Sequence, residues 1–231
     1  MEGAKIYFEL PIFGGLPINE TMVNTWIVMA FIIILCLFLT SRLEKVPKGK
    51  QVVAEMIVTA FYNMVESSMG KGKEKYVPYI GSLFLLSLFC SLSSLLTFRP
   101  PTADLNTTAA WALMTFLMIQ YNGVKGNGLF TRLKSFAEPS PLLLPINLLG
   151  EFSTPISMAF RHFGNIFAGM LITSLLMSAL AAITSFAPAM PAVFQIGIPA
   201  ILSIYFDLFT SGLQAFIFCM LTMVFVKMAA D

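Results

Sequence analysis

The chain has 231 residues, of which 57% are hydrophobic and 11% charged, and its mean hydropathy is +0.82. Soluble domains carry about 25% charged residues, so a soluble globular domain is excluded and the chain reads as a membrane protein with little mass outside the lipid. The net charge of +2 says little by its sum, and no nucleic acid is expected as a partner.

The first apolar run spans about Met22 to Thr40, some 19 residues, close to the ~20 needed to cross a ~30 Å hydrocarbon layer. Glu2, Glu9 and Glu20 precede it, without a basic leader or a small-residue cleavage site, so no cleavable signal is expected. It stops at the basic segment "SRLEKVPKGK". Residues 50–70 alternate apolar positions with Glu55, Asn63 and Glu66, which predicts an amphipathic helix lying at the interface. A second span follows from about Tyr79 to Phe98. The turn "RPPTADLNTT" leads to a third span ending near Tyr121, and "NGVKGNGLFTRLKSFAEPSP" forms another basic loop. Cys36, Cys90 and Cys219 lie singly inside apolar runs, a spacing that fits neither a metal site nor a disulfide framework.

Loop charge predicts orientation. Residues 41–75 hold seven Lys or Arg and residues 122–140 three more, against Arg99 on the opposite side. The positive-inside rule places both basic loops and the C-terminus in the cytoplasm and the N-terminus outside.

The last ninety residues differ. No turn signal interrupts residues 146–186, and a helix of that length would measure ~60 Å, about twice the hydrocarbon thickness. The segment "FAPAMPAV" breaks the chain, and residues 192–230 form a second long run. The expected architecture is therefore all-α, with upright spans, an interfacial helix and basic loops in residues 1–145. Residues 146–231 are expected to form a long, steeply tilted antiparallel hairpin, kinked rather than ended at Pro155 and Pro199.

That hairpin carries the polar residues. Asn147, Glu151, Thr154, Arg161 and Asn165 are spaced by 4, 3, 7 and 4 residues, and Ser203, Asp207, Ser211 and Gln214 by 4, 4 and 3. Each set falls on one stripe of an α-helix. Ser and Thr in such stripes can simply glue helices together, but ionisable groups inside spans cost several kcal/mol and mark ion paths or paired charges. Arg161 is the only Lys or Arg between Lys134 and Lys227. Glu151 lies ~15 Å away along the axis, so the local spacing offers Arg161 no partner and points to one on another chain. His162 sits about 100° around the helix from Arg161 and reads as structural.

The segments "PTADLNTT", "INLLGEFSTPISMAFRHFGNIFAG" and "LQAFIFCMLTMVFVKMA" resemble the signature segments of subunit a of bacterial F-type ATP synthases, in order, spacing and loop charge over nearly the whole chain. The resemblance implies a membrane stator beside a rotating c-ring, with the subunit b stalk and the remaining ATP synthase subunits as partners. It further implies two offset half-channels for H⁺ or Na⁺ in a multi-pass protein of the bacterial cell membrane. Arg161 matches the family's essential arginine between the half-channels. Asn165, Asp207 and Gln214 would serve the outward path, and Glu151 with Asn147 the inward one. Two departures stand out: many relatives have a short aliphatic residue at the position of His162, and some an ionisable residue at that of Met170.

A stand-alone ion channel or secondary transporter is the alternative, but the halves show no internal repeat. No P-loop, HExxH, paired CxxC or Ser/His/Asp set is present, so no catalytic site, cofactor or metal is expected in this chain.

Overall fold

A computed structural model describes residues 5–11, 15–96, 98–137, 140–186, 197 and 201–230. A short antiparallel hairpin opens the chain, with β1 (Ile6–Leu10) paired to β2 (Leu16–Asn19). Residues 6–10 are apolar at every position except Glu9, which is no clean strand alternation, and the hairpin was not anticipated. Its second strand runs directly into helix α1 (Glu20–Thr40).

Helix α2 (Lys50–Met69) occupies the stretch predicted to be amphipathic. Its outer positions Val53, Met56 and Val58 are exposed, while Val65 and Met69 are buried. Helix α3 (Val77–Leu92) has Pro78 in its first turn, where a missing N–H costs nothing, and passes into a 3₁₀ turn, Ser93–Leu96. Helix α4 (Leu105–Asn127) is capped by Asp104, whose Oδ1 accepts from the Asn106 N–H at 3.0 Å. Such a cap stabilises a helix by ~1 kcal/mol. Its other oxygen accepts from Thr21 Oγ1 at 3.1 Å, and Asn24 Nδ2 donates to the Arg99 carbonyl at 2.9 Å. These bonds pin the start of α1 to the turn before α4. A seven-residue helix α5 (Leu129–Ser135) follows.

Helix α6 (Leu144–Phe186) continues for 43 residues, with Pro155 inside it rather than at its end. A helix that long spans ~65 Å and cannot stand upright as one crossing of a ~30 Å layer, nor does it fold back on itself. The breaking segment and Pro199 lie outside the described residues. The final run contains a π-helical segment, Ile204–Phe209, followed by helix α7 (Thr210–Ala230).

Helix α7 packs against both α3 and α4 at the centre, α1 and α2 flank α3, and α6 leans on α4, α7 and the π segment. The core is built from Ile80, Cys90, Trp111, Phe218, Cys219, Met223 and their neighbours. Cys90 and Cys219 are buried and Cys36 is exposed, each as a free thiol.

Among the described residues, four helical stretches are long and apolar enough to cross a membrane: Glu20–Thr40, Glu74–Leu96, Pro141–Ile183 and Ile201–Ala230. The third span expected from the sequence, α4, has the length but is not among them. Its inward face is polar, with Thr108, Thr115 and Asn122 all buried at seven-residue spacing. Thr115 Oγ1 lies 3.4 Å from Thr222 Oγ1 and 3.5 Å from the Tyr79 hydroxyl, and the Tyr76 hydroxyl donates to Asn122 Oδ1. Inter-helical bonds of this kind contribute about 0.6 kcal/mol each in a bilayer.

Candidate functional site

Helix packing orders the ionisable groups along the bundle. The level of Arg161 is marked by its neighbour His162, which is buried between the rings of Trp111 and Phe218, each 5.8 Å away edge-on. His162 Nε2 lies 3.4 Å from Ser87 Oγ, and its Nδ1 has no partner among the described residues. With His162 wedged inward, Arg161 about 100° around the helix falls on the exposed face, as does Asn165 one turn later. Among the described residues Arg161 makes no ion pair or side-chain hydrogen bond.

Toward the basic end of the bundle lies Glu151. Its Oε1 accepts from Arg132 Nη2 at 2.6 Å and from Gln120 Nε2 at 2.7 Å. Gln120 is nine residues along α4 from Trp111, ~13 Å at 1.5 Å per residue. Asn147, one turn before Glu151, donates from Nδ2 to the Phe136 carbonyl at 3.0 Å. Both residues line a cavity of about 590 Å³ with Thr154, Arg132, Phe225 and Met228. The family resemblance assigns Glu151 to the inward path. In the fold it is half-buried and ion-paired, because α5 brings Arg132 back across the start of α6.

Toward the opposite end lies Asp207, half-buried in the π segment. Ser94 Oγ donates to its Oδ1 at 3.0 Å and Ser203 Oγ to its Oδ2 at 2.5 Å. Ser94 lies seven residues beyond Ser87, ~10 Å if the chain stayed helical. The order along the bundle is therefore Glu151, Arg161, Asp207. Helix α6 passes close to the π segment, since a Cβ on Gly169 would sit 3.2 Å from Phe206 Cβ. That contact sets Met170 beside the turn that carries Asp207.

The stripe read as Ser203, Asp207, Ser211 and Gln214 assumed a constant α-helical period. Bonds of the π type take more residues per turn, so the phase drifts across residues 204–209. Ser211 and Gln214 are consequently buried inside the bundle while Asp207 stays half-buried. Neither Asn165 nor Gln214 has a side-chain hydrogen-bond partner among the described residues. The Asp207 hydroxyl cage is partly legible, since Ser203 is one turn away. Ser94, 113 positions distant, is not, and Arg132 stood out in the sequence only as a loop charge. Among the described residues no group of His, Cys, Asp and Glu could hold a metal ion.

Residues 22–227 match the family described as ATP synthase A chain. The chain is 36% identical to "ATP synthase subunit a, sodium ion specific" of Propionigenium modestum, over 98% of this chain and 85% of that protein. It is 37% identical to ATP synthase subunit a of Moorella thermoacetica, over 71% and 75% of the two chains. It is 34% identical to "ATP synthase subunit a 2" of a Bradyrhizobium species, over 94% and 91%.

Proposed function

This chain belongs to the ATP synthase A chain family, and we propose on that premise how its residues carry ions past a rotor. It is the stator subunit of the membrane sector, a multi-pass protein that takes part in ion translocation with the c-ring. The ion enters and leaves by two offset half-channels that open on opposite sides of the membrane. Glu151 and Asn147 serve the inward one, and Asp207 with Asn165 and Gln214 the outward one. Arg161 stands between them and faces the ring.

The observation that carries this reading is the order Glu151, Arg161, Asp207 along the bundle, with the two carboxylates at opposite ends and the arginine on an exposed face. A guanidinium stays charged at any relevant pH. It therefore favours the ionised form of a ring carboxylate drawn up to it, which releases the bound ion. The same fixed cation stands in the way of a direct passage from one half-channel to the other. ATP chemistry belongs to other subunits, and the b stalk holds this chain against the turning ring.

Co-purification tests the assignment. An affinity-tagged chain is expected to bring down a c-ring, a b stalk and the ATPase subunits, whereas recovery of the chain alone would favour a stand-alone channel.

In the proposed orientation the basic loops lie in the cytoplasm of a bacterial cell, as does the C-terminus, and the N-terminus lies outside. The basic loops share one end of the fold, which supports it: Lys227 Nζ lies 3.4 Å from the Ser68 carbonyl at the end of α2, and Phe225 and Met228 line the same cavity as Arg132. Single cysteines at Lys48 and Lys134, both exposed, in a background without Cys36, Cys90 and Cys219, are expected to escape an impermeant thiol reagent added outside intact cells. Labelling there would reverse the orientation. Gly126 is unsuited to such a probe, since a Cβ would lie 2.8 Å from the Ala230 carbonyl oxygen.

A further inference from the structure

Arg132 is held from several sides. Its Cζ lies over the Phe136 ring at 5.0 Å from the centroid, a cation–π contact. Its side chain rests on the bare backbone of Gly123 in α4, where a Cβ would come within 2.9 Å of Nε. Its Nη2 donates to Glu151 Oε1 at 2.6 Å, an oxygen that also takes the Gln120 amide at 2.7 Å. A carboxylate can accept at about four lone-pair positions. Both contacts here fall on one oxygen, and Glu151 Oε2 has no partner among the described residues. The carboxylate thus sits in the cavity wall with one oxygen fixed and the other open.

We propose that Arg132 is a positioning residue of the inward half-channel, which clamps Glu151 Oε1 so that Oε2 is presented to the transported ion or to the water that carries it. This rests on the reading of Glu151 as an inward-path group.

Because Arg132 acts through Glu151, the test separates the two. Complete ATP synthase carrying each variant is reconstituted into vesicles, and ATP-driven uptake of Na⁺ and of H⁺ is measured per assembled complex against the ion concentration on the cavity side. Glu151→Gln is expected to slow transport. Arg132→Gln is expected to raise the half-saturating ion concentration about tenfold, the range seen when a group that orients an ion ligand is lost, with a smaller change in maximal rate. Gly123→Ala keeps every charge and favours the helix, yet its methyl displaces the guanidinium, so a smaller rise of the same kind is expected. The double variant Arg132→Gln with Glu151→Gln should match Glu151→Gln alone, as residues acting through one group do not add.

Wild-type half-saturation in both Arg132→Gln and Gly123→Ala, beside a slowed Glu151→Gln, overturns the clamp and leaves the role of Glu151 standing. A double variant worse than Glu151→Gln by the full effect of Arg132→Gln overturns it too. Wild-type transport by Glu151→Gln removes the inward-path reading itself, and the clamp with it.

Discussion

Arg161→Ala complexes are expected to assemble in normal amount and to lose both ATP-driven ion pumping and ATP synthesis, by at least about a hundredfold, or ~2.7 kcal/mol on the limiting barrier. Assembly should survive because Arg161 is exposed on α6 and makes no ion pair or side-chain hydrogen bond among the described residues. Its removal therefore orphans no buried partner. Function should not survive, because the arriving ring carboxylate then meets no fixed cation and keeps its ion. Arg161→Lys is expected to fail largely as well. An ammonium can give up its proton where water is scarce, and it lacks the planar fork that meets a carboxylate. ATP-dependent gradients in vesicles, normalised to complex content, decide the point. A normal gradient with Arg161→Ala would refute the proposed mechanism.

Asp207→Asn is expected to lower coupled ATP synthesis about tenfold, ~1.4 kcal/mol on the barrier, with the complex intact. Asp207 is the only carboxylate between Glu151 and Asp231, and two hydroxyls surround it, Ser94 at 3.0 Å and Ser203 at 2.5 Å. The amide keeps this cage. Its oxygen accepts from one serine and its NH₂ donates to the other, whose hydroxyl can turn to suit. What disappears is the charge and the ability to take up a proton or attract a cation, so a structural role and a role in the path give different results. Adding Met170→Glu to Asp207→Asn should restore part of the lost rate, since the contact of Gly169 with Phe206 places residue 170 beside the π segment. Synthesis rates measured on all three proteins settle it, and wild-type rates in the single variant would remove Asp207 from the outward path.

The sequence by itself determined the solvent, the order of the long helices and the residues with the strongest chemical signal. An apolar run announces a membrane helix by length alone, which is why α1, α3 and the 43-residue α6 were legible. A lone arginine in such a run is conspicuous because nothing nearby in the chain can neutralise it. Residues 101–108, 146–169 and 213–229, with Arg161 in "FRHFGNIFAG", together suggested the family. These are local, one-dimensional properties: counts, periods and spacings along a single helix.

Only the tertiary structure decided what each charge touches. Glu151 and Arg132 are 19 residues apart on different helices, and no period links them. Their pairing follows from the way α5 doubles back after the Gly128 turn, at φ 79°. Ser94 reaches Asp207 only because α3 ends beside the π segment, and that segment is the change of helical pitch that broke the stripe predicted for Gln214. The apolar deficit of α4 has the same origin. Thr115 and Asn122 count against burial in lipid by composition, yet they meet the hydroxyls of Thr222, Tyr79 and Tyr76, so their cost is met by partners that packing alone supplies. His162 shows the difference most directly. Its place one residue after Arg161 is written in the sequence, but the slot between Trp111 and Phe218 exists only once α4, α6 and α7 have met. That meeting fixes the roll of α6 and so the direction in which Arg161 points.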